Sequence, residues 1–153
     1  MMKSWVRVAI YVFAFVLVVF SQMDSAEAAR FKQYQETGNI NNDREIVDAV
    51  NNRRREDFVE GADMVVTKIL PDDNSGLEHQ KWTVRLSNGE TMQAVYNLDM
   101  CPRVPLKVGD RVAMGGQFIW TQKGGLLHWL HHDPRGRRPD GYVYVNGTFY
   151  CKE

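Results

Sequence analysis

The chain has 153 residues, with 19 lysines and arginines set against 19 aspartates and glutamates, and so no formal net charge. That length is one domain's worth, and neutrality excludes a global field that would draw the protein to nucleic acid or to an anionic membrane. Anion binding would have to come from local patches, of which there are two: Arg53-Arg54-Arg55, and the trio Arg135, Arg137 and Arg138.

At the N-terminus Lys3 and Arg7 open an apolar run over residues 8–20. It is shorter than the roughly 20 residues that a membrane span needs. A polar stretch follows, and Ala26-Glu27-Ala28 has the small-x-small form of a signal-peptidase site. Residues 1–28 are therefore expected to be a signal peptide, and the protein to be exported, periplasmic or secreted. An uncleaved N-terminal anchor is the alternative. Cleavage would remove Lys3, Arg7, Asp24 and Glu27 together, leaving the balance at zero and no attachment to the membrane. In an oxidising compartment the even pair Cys101 and Cys151 reads as a disulfide. Closing a loop of about 50 residues, it is worth roughly 3–4 kcal/mol in the chain-entropy model. Two reduced thiols ligating metal beside the histidines is the other reading, although no C-x-x-C is present.

Residues 29–57 read as a polar lead-in and a helix. Asn42 or Asp43 can cap it, Ile46, Val47, Ala49 and Val50 form its apolar stripe, and it is expected to run to Arg54 or Arg55. The Arg triplet then falls in the last turn, where cations suit the helix dipole, which is preferred here to a nucleic-acid patch. From Phe58 the period changes to two. Residues 58–70 form a first strand with a break at Gly61, and 71–76 form a loop. Residues 79–86 alternate, with Trp82, Val84 and Leu86 on one face, so Trp82 is expected in the core. Asn88-Gly89 signals a type I′ hairpin, and 91–98 form the return strand. Pro102 and Pro105 interrupt the chain; a fourth strand then ends near Trp120, and a fifth covers 126–131. A last hairpin turns at Asn146-Gly147, and the Cys101–Cys151 bridge would pin it to the connection between the third and fourth strands. The expected fold for residues 58–153 is mainly β: a five-stranded OB-like barrel, preceded by the helix and followed by the hairpin.

Residues 124–141 are the most distinctive stretch. Three of the four histidines and Trp129 occupy positions 128–132, followed by Asp133-Pro134 and three arginines. An extended chain there puts His128 and His132 on one face and Trp129 and His131 on the other. A bend at Asp133-Pro134 can gather His131, His132 and Asp133, so His128, His131, His132 and Asp133 are candidate ligands for zinc or another divalent metal. The spacing matches no standard metal motif. His131 or His132, with Asp133 as orienter, are candidate catalytic groups for phosphodiester cleavage assisted by the arginines. Ser75 and Ser87 lie in turn-like contexts without a G-x-S-x-G, which argues against a nucleophilic serine.

Binding has more in its favour than catalysis. OB-type barrels hold oligonucleotides or oligosaccharides on one face and its adjoining loops. Trp120, His128, Trp129, His131 and Tyr142 (with Tyr144) offer stacking or polar contacts, and Arg135, Arg137 and Arg138 offer cations. The expected function is a binding module holding an extended or anionic ligand, an oligonucleotide or oligosaccharide, at the His128 to Arg138 edge, with enzymatic activity left open. One alternative is a metal-dependent hydrolase. Another is a structural or partner-binding module whose histidines fasten the last strand to the hairpin.

Residues 97–150 also carry a pattern of Pro102, Pro105, Leu106, Gly109, Asp110, Trp120, Lys123, Gly124 and Gly125. It continues through His-Trp-x-His-His-Asp-Pro at 128–134 and on to Gly141, Tyr142, Gly147 and Tyr150. This resembles a family of small exported bacterial proteins of uncharacterised function. The resemblance covers about a third of the chain and implies export and a small β-domain, with no established activity. The family often has a further histidine where this chain has Arg138, a departure that weakens any metal scheme needing a fourth imidazole.

Overall fold

Alternation of apolar and polar residues is realised over residues 79–85 and 91–97 in the computed structural model, which describes residues 42–73 and 76–152. The expected signal peptide and the lead-in up to residue 41 lie outside the described residues. Among the described residues are one helix, α1 (Arg44–Asn52), and seven strands: β1 (Glu56–Asp73), β2 (His79–Arg85), β3 (Thr91–Asn97), β4 (Arg111–Thr121), β5 (Gly124–His128), β6 (Tyr142–Val145) and β7 (Thr148–Tyr150). The fold is mainly β. Among the described residues no helix is long and apolar enough to cross a membrane.

The strands pair in the order β1-β2-β3-β5-β4-β6-β7, and β4 pairs with β1 as well, so five strands form a closed ring of pairings. All pairs are antiparallel except β3 with β5, which are parallel through Gln93–Leu126 and Ala94–Leu127. β1 closes the ring because it is long enough to serve two neighbours: Glu56 to Val65 face β4, and Val65 to Asp73 face β2. It bends between Gly61 and Met64, where the register slips and Asp63 takes φ 63°. A Cβ at Gly61 would sit 2.8 Å from Ile46 Cδ1, so the glycine lets α1 lie close on the strand. The core is the inner face of the ring, with Trp82, Tyr96, Met114, Phe118 and Leu127 fully buried, together with Ile46, Ala49 and Val50 of α1.

Four local expectations are corrected. The helix stops at Asn52: Arg53 takes the left-handed conformation (φ 50°) and its N–H caps Val50 O, so none of the three arginines lies in the last turn. Arg53 instead lies over the Trp120 ring at 5.2 Å, Arg54 pairs with Glu56, and Arg55 with Asp57 at 3.3 Å. Asp43 stands at the N-cap, but its carboxylate accepts from Ser87 N–H (2.7 Å) and Ser87 Oγ–H (2.6 Å), tying the β2–β3 turn to the helix. Of the two expected caps it is Asn42 whose Oδ1 accepts a helical N–H, that of Arg44 (3.0 Å). That turn is not type I′, since of Asn88 and Gly89 only the glycine has positive φ; Asn146 (51°) and Gly147 (79°) both do, as type I′ requires. Pro71 lies within β1, at an irregularity between Leu70 and Asp73 where a missing N–H is tolerated.

Candidate functional site

β5 ends at His128, three residues before the end expected from alternation, because Trp129 takes φ 58°. Two glycines make this turn possible. A Cβ at Gly116 would lie 2.4 Å from His128 O, and one at Gly141 would lie 1.9 Å from Trp129 O. Gly141 N–H donates to His131 O (2.9 Å), and Leu130 swings into the core. Strict alternation would place His128 and His131 on opposite faces. The turn at Trp129 instead brings His128, Trp129 and His131 to one pocket of about 360 Å³.

The remaining wall comes from the outer face of β2 and β3, where His79 and Asn97 form a cross-strand pair beside Val95, and from Leu77 and Met100 in the adjoining connections. Leu77 (57% exposed), Met100 (41%) and Trp129 (41%) account for three of the six large apolar residues left exposed among the described residues. Their convergence on one pocket is a marker of a binding surface.

The hydrogen bonds fix both histidine tautomers. Gln117 Nε2 donates to Asp57 Oδ1 (3.3 Å), which turns Gln117 Oε1 toward His128 Nε2 at 2.9 Å. An amide oxygen only accepts, so Nε2 carries the proton of neutral His128 and Nδ1 is bare. His131 Nδ1 lies 2.7 Å from His132 O and must donate, so in the neutral ring the lone pair falls on Nε2. Burial, followed by the positive charge of Arg138 and Arg55 and the neighbouring His131 and His79, holds the His128 imidazolium below its ordinary range. Neutral His128 is therefore the form present at neutral pH.

Other expected site residues are placed elsewhere. The peptide N–H of His132 donates to Cys151 O (2.8 Å) and its carbonyl is taken by His131, so it fastens the segment to the end of the hairpin. Asp133 orients no imidazole. Its carboxylate accepts the peptide N–H groups of Arg135 (3.0 Å), Arg137 (2.8 Å) and Arg138 (3.0 Å), which hold it below the usual carboxylate range and close the arginine loop. Among the described residues no three His, Cys, Asp or Glu side chains gather to hold a metal ion, so the set His128, His131, His132 and Asp133 is not assembled. Of the three arginines, Arg138 lies over the Trp129 ring, its guanidinium 4.5 Å from the ring centre, without lining the pocket; Arg135 and Arg137 lie on the exposed loop.

Trp120 and Tyr142 do not join the pocket. Trp120 pairs with Gly125 on the core side of β4–β5, whereas Gln117 and His128 face outward. Tyr142 is buried: its hydroxyl donates to Glu60 Oε2 (3.0 Å) and its ring packs edge-on against Phe149. Burial and the Glu60 carboxylate push its phenol well up. Sequence reasoning missed His79, Asn97, Val95, Leu77 and Met100. The outward parity of His79, Val95 and Asn97 on their strands was the available signal. Cys101 and Cys151 lie at disulfide distance (Cα–Cα 5.7 Å), joining the hairpin to the β3–β4 connection just beyond Met100.

A family model described as "Protein of unknown function (DUF3465)" matches residues 30–151, and the chain belongs to that family. No curated protein matches it.

Proposed function

We propose that this member of a family of unknown function is an exported OB-like binding module, holding an extended ligand across the outer face of β2, β3 and β5. The ring of pairings supports the OB-like reading, with β1 shared between β2 and β4 and with β3 parallel to β5. Such barrels bind along the second and third strands and the loop between the first and second. His79, Val95, Asn97 and Leu77 occupy those positions here. The cysteine pair and the N-terminal apolar run support export.

The observation that carries the binding reading is the pocket itself: exposed Trp129, Leu77 and Met100 around a cavity of about 360 Å³, with only a few polar groups placed in it. The hydrolase reading has less support, since Asp133 is committed to the arginine loop and no ligand set for a metal is gathered among the described residues. The structural reading accounts for His132, but not for two imidazoles facing a pocket.

The test is a titration of the purified protein, followed by tryptophan fluorescence and by NMR. The probes are neutral oligosaccharides, sulfated oligosaccharides and single-stranded oligonucleotides. At least one class is expected to saturate, with shifts confined to the pocket, and Trp129→Ala should weaken it about tenfold or more with little change in melting. Equal binding by the Trp129→Ala protein, or shifts centred on another surface, would overturn the proposal.

A further inference from the structure

We infer that the chain held in this pocket is a neutral, hydroxyl-bearing sugar chain, with ligand hydroxyls donating to His128 Nδ1 and His131 Nε2. The inference rests on the binding reading above and narrows it to one ligand chemistry. Among the described residues, the buried side-chain polar atoms without a partner are Trp82 Nε1 and His132 Nδ1. His128 Nδ1 and His131 Nε2 have no hydrogen-bond partner among the described residues and are not among those buried atoms, so both are reachable by solvent. Each is a lone pair with its tautomer locked from behind, by Gln117 backed by Asp57 in one case and by the His132 carbonyl in the other. Asn97 adds the opposite polarity: its Oδ1 accepts from Asp99 N–H (2.8 Å), which leaves its amide nitrogen to donate.

Two fixed acceptors beside the Asn97 donor, with the His79 imidazole across from them, suit hydroxyls, each of which gives one hydrogen bond and accepts others. Phosphate and sulfate oxygens only accept, and would meet two bare imidazole nitrogens lone pair to lone pair. They would bind only after proton uptake. The groups around His128 oppose that uptake: Arg138 in the loop, Arg55 ahead of β1, His79 on β2 and His131, with Asp57 of β1 reaching it only through Gln117 of β4. The nearby arginines are thus not a polyanion site. Arg138 is spread over the Trp129 ring, Arg55 is paired with Asp57, and both keep the acceptor on His128 bare. Trp129, Leu77 and Met100 supply the apolar ground against which a sugar face packs.

The experiment titrates the whole protein with neutral pentasaccharides (β-1,4-glucan, α-1,4-glucan, chitin), dextran sulfate and oligothymidylate. It is run at about pH 7.5 and about pH 5.5, either side of the ordinary imidazole range, and from low to high salt. The expected result is saturable binding of a neutral chain at the higher pH, indifferent to salt and weaker on acidification. His131→Phe, which removes one lone pair, should cost about tenfold in affinity. Long-range proton–nitrogen NMR is an independent readout needing no variant: in the neutral rings the proton should sit on His128 Nε2 and on His131 Nδ1, and the opposite nitrogens should shift on adding the sugar. Polyanion binding that depends on Trp129, tightens on acidification and falls with salt would overturn this inference and leave the binding reading standing. Failure of every probe to bind would overturn both, and opposite tautomers would overturn this one alone.

Discussion

Two aromatic clusters lie on either side of the same backbone segment, and by composition they are alike. On one side Trp129 sits with His131 at 5.1 Å and Arg138 over its ring; on the other Tyr142 and Tyr144 pack on Phe149 with Lys152 over that ring at 4.2 Å. Both combine aromatic rings with a cation, and sequence reasoning assigned residues of both to the ligand. They differ in completeness. Tyr142 and Tyr144 are 5% and 3% exposed, and the Tyr142 hydroxyl is used by Glu60. Trp129 is 41% exposed, and two imidazole nitrogens beside it are unused. Aromatic rings with a cation mark packing as readily as binding, whereas hydrogen-bonding capacity left open to solvent separates the two.

Gly141 joins the clusters, preceding Tyr142 and lying beneath Trp129, and its replacement should have the largest effect. A Cβ there would meet Trp129 O at 1.9 Å and Gly115 O and His131 N at 2.8 Å. All three are backbone atoms and cannot rotate away. Gly141→Ala is expected to cost more than about 4 kcal/mol and to abolish both clusters at once, read as a large fall in melting temperature. Gly115→Ala is the control: its new methyl would meet the rings of Tyr142 and Phe58, which can yield, so its cost should be smaller. Equal melting of the two variants would show that the segment is not held against Gly141.

Tyr142→Phe tests the closed side alone. It removes the O–H donated to Glu60, whose carboxyl is raised first by burial and is held down chiefly by this bond. The expected cost is about 1–2 kcal/mol at neutral pH, shrinking as Glu60 protonates. A raised carboxyl favours the folded state below its unfolded range and penalises it as pH rises, so without the tyrosine the penalty should run on to a higher pH and end larger. Ligand affinity should not change. A loss of binding in Tyr142→Phe matching that in Trp129→Ala would collapse the distinction between the clusters.

Much of the fold was legible. Trp82 was assigned to the core from its alternation with Val84 and Leu86, and all three are buried. The Asn146-Gly147 turn and the cysteine pair are where the sequence placed them. The site was legible as a stretch but not as a set. The left-handed turn at Trp129 has no local signature, because the glycines that permit it, Gly116 and Gly141, stand twelve or more positions away in the chain. His79 and Asn97 meet His128 through the parallel pairing of β3 with β5, a long-range contact that periodicity does not encode. Asp133 was read as a ligand or orienter, although an Asp-Pro step followed by Gly136 is also a turn signal, and closing that turn is what its carboxylate does.

The smallest expected effect tests the open side. Burial and then Arg138 hold the His128 imidazolium down, so the folded protein resists a proton that the unfolded chain accepts near the ordinary imidazole range. His128 should therefore contribute stability that is fully present above about pH 6.5 and is lost as pH falls through its lower folded-state titration. Ring proton shifts followed by NMR should place its midpoint below that of an unstructured histidine. Arg138→Ala should raise the midpoint part of the way back, since burial, the larger cause, remains. It should also leave a shallower acid slope in melting temperature. An unmoved midpoint would mean that Arg138 acts on Trp129 alone, and that burial with Arg55 and the neighbouring histidines keeps the acceptor bare. A midpoint above the ordinary range would instead make His128 a cation at neutral pH, and would move the open cluster from sugar hydroxyls to anions.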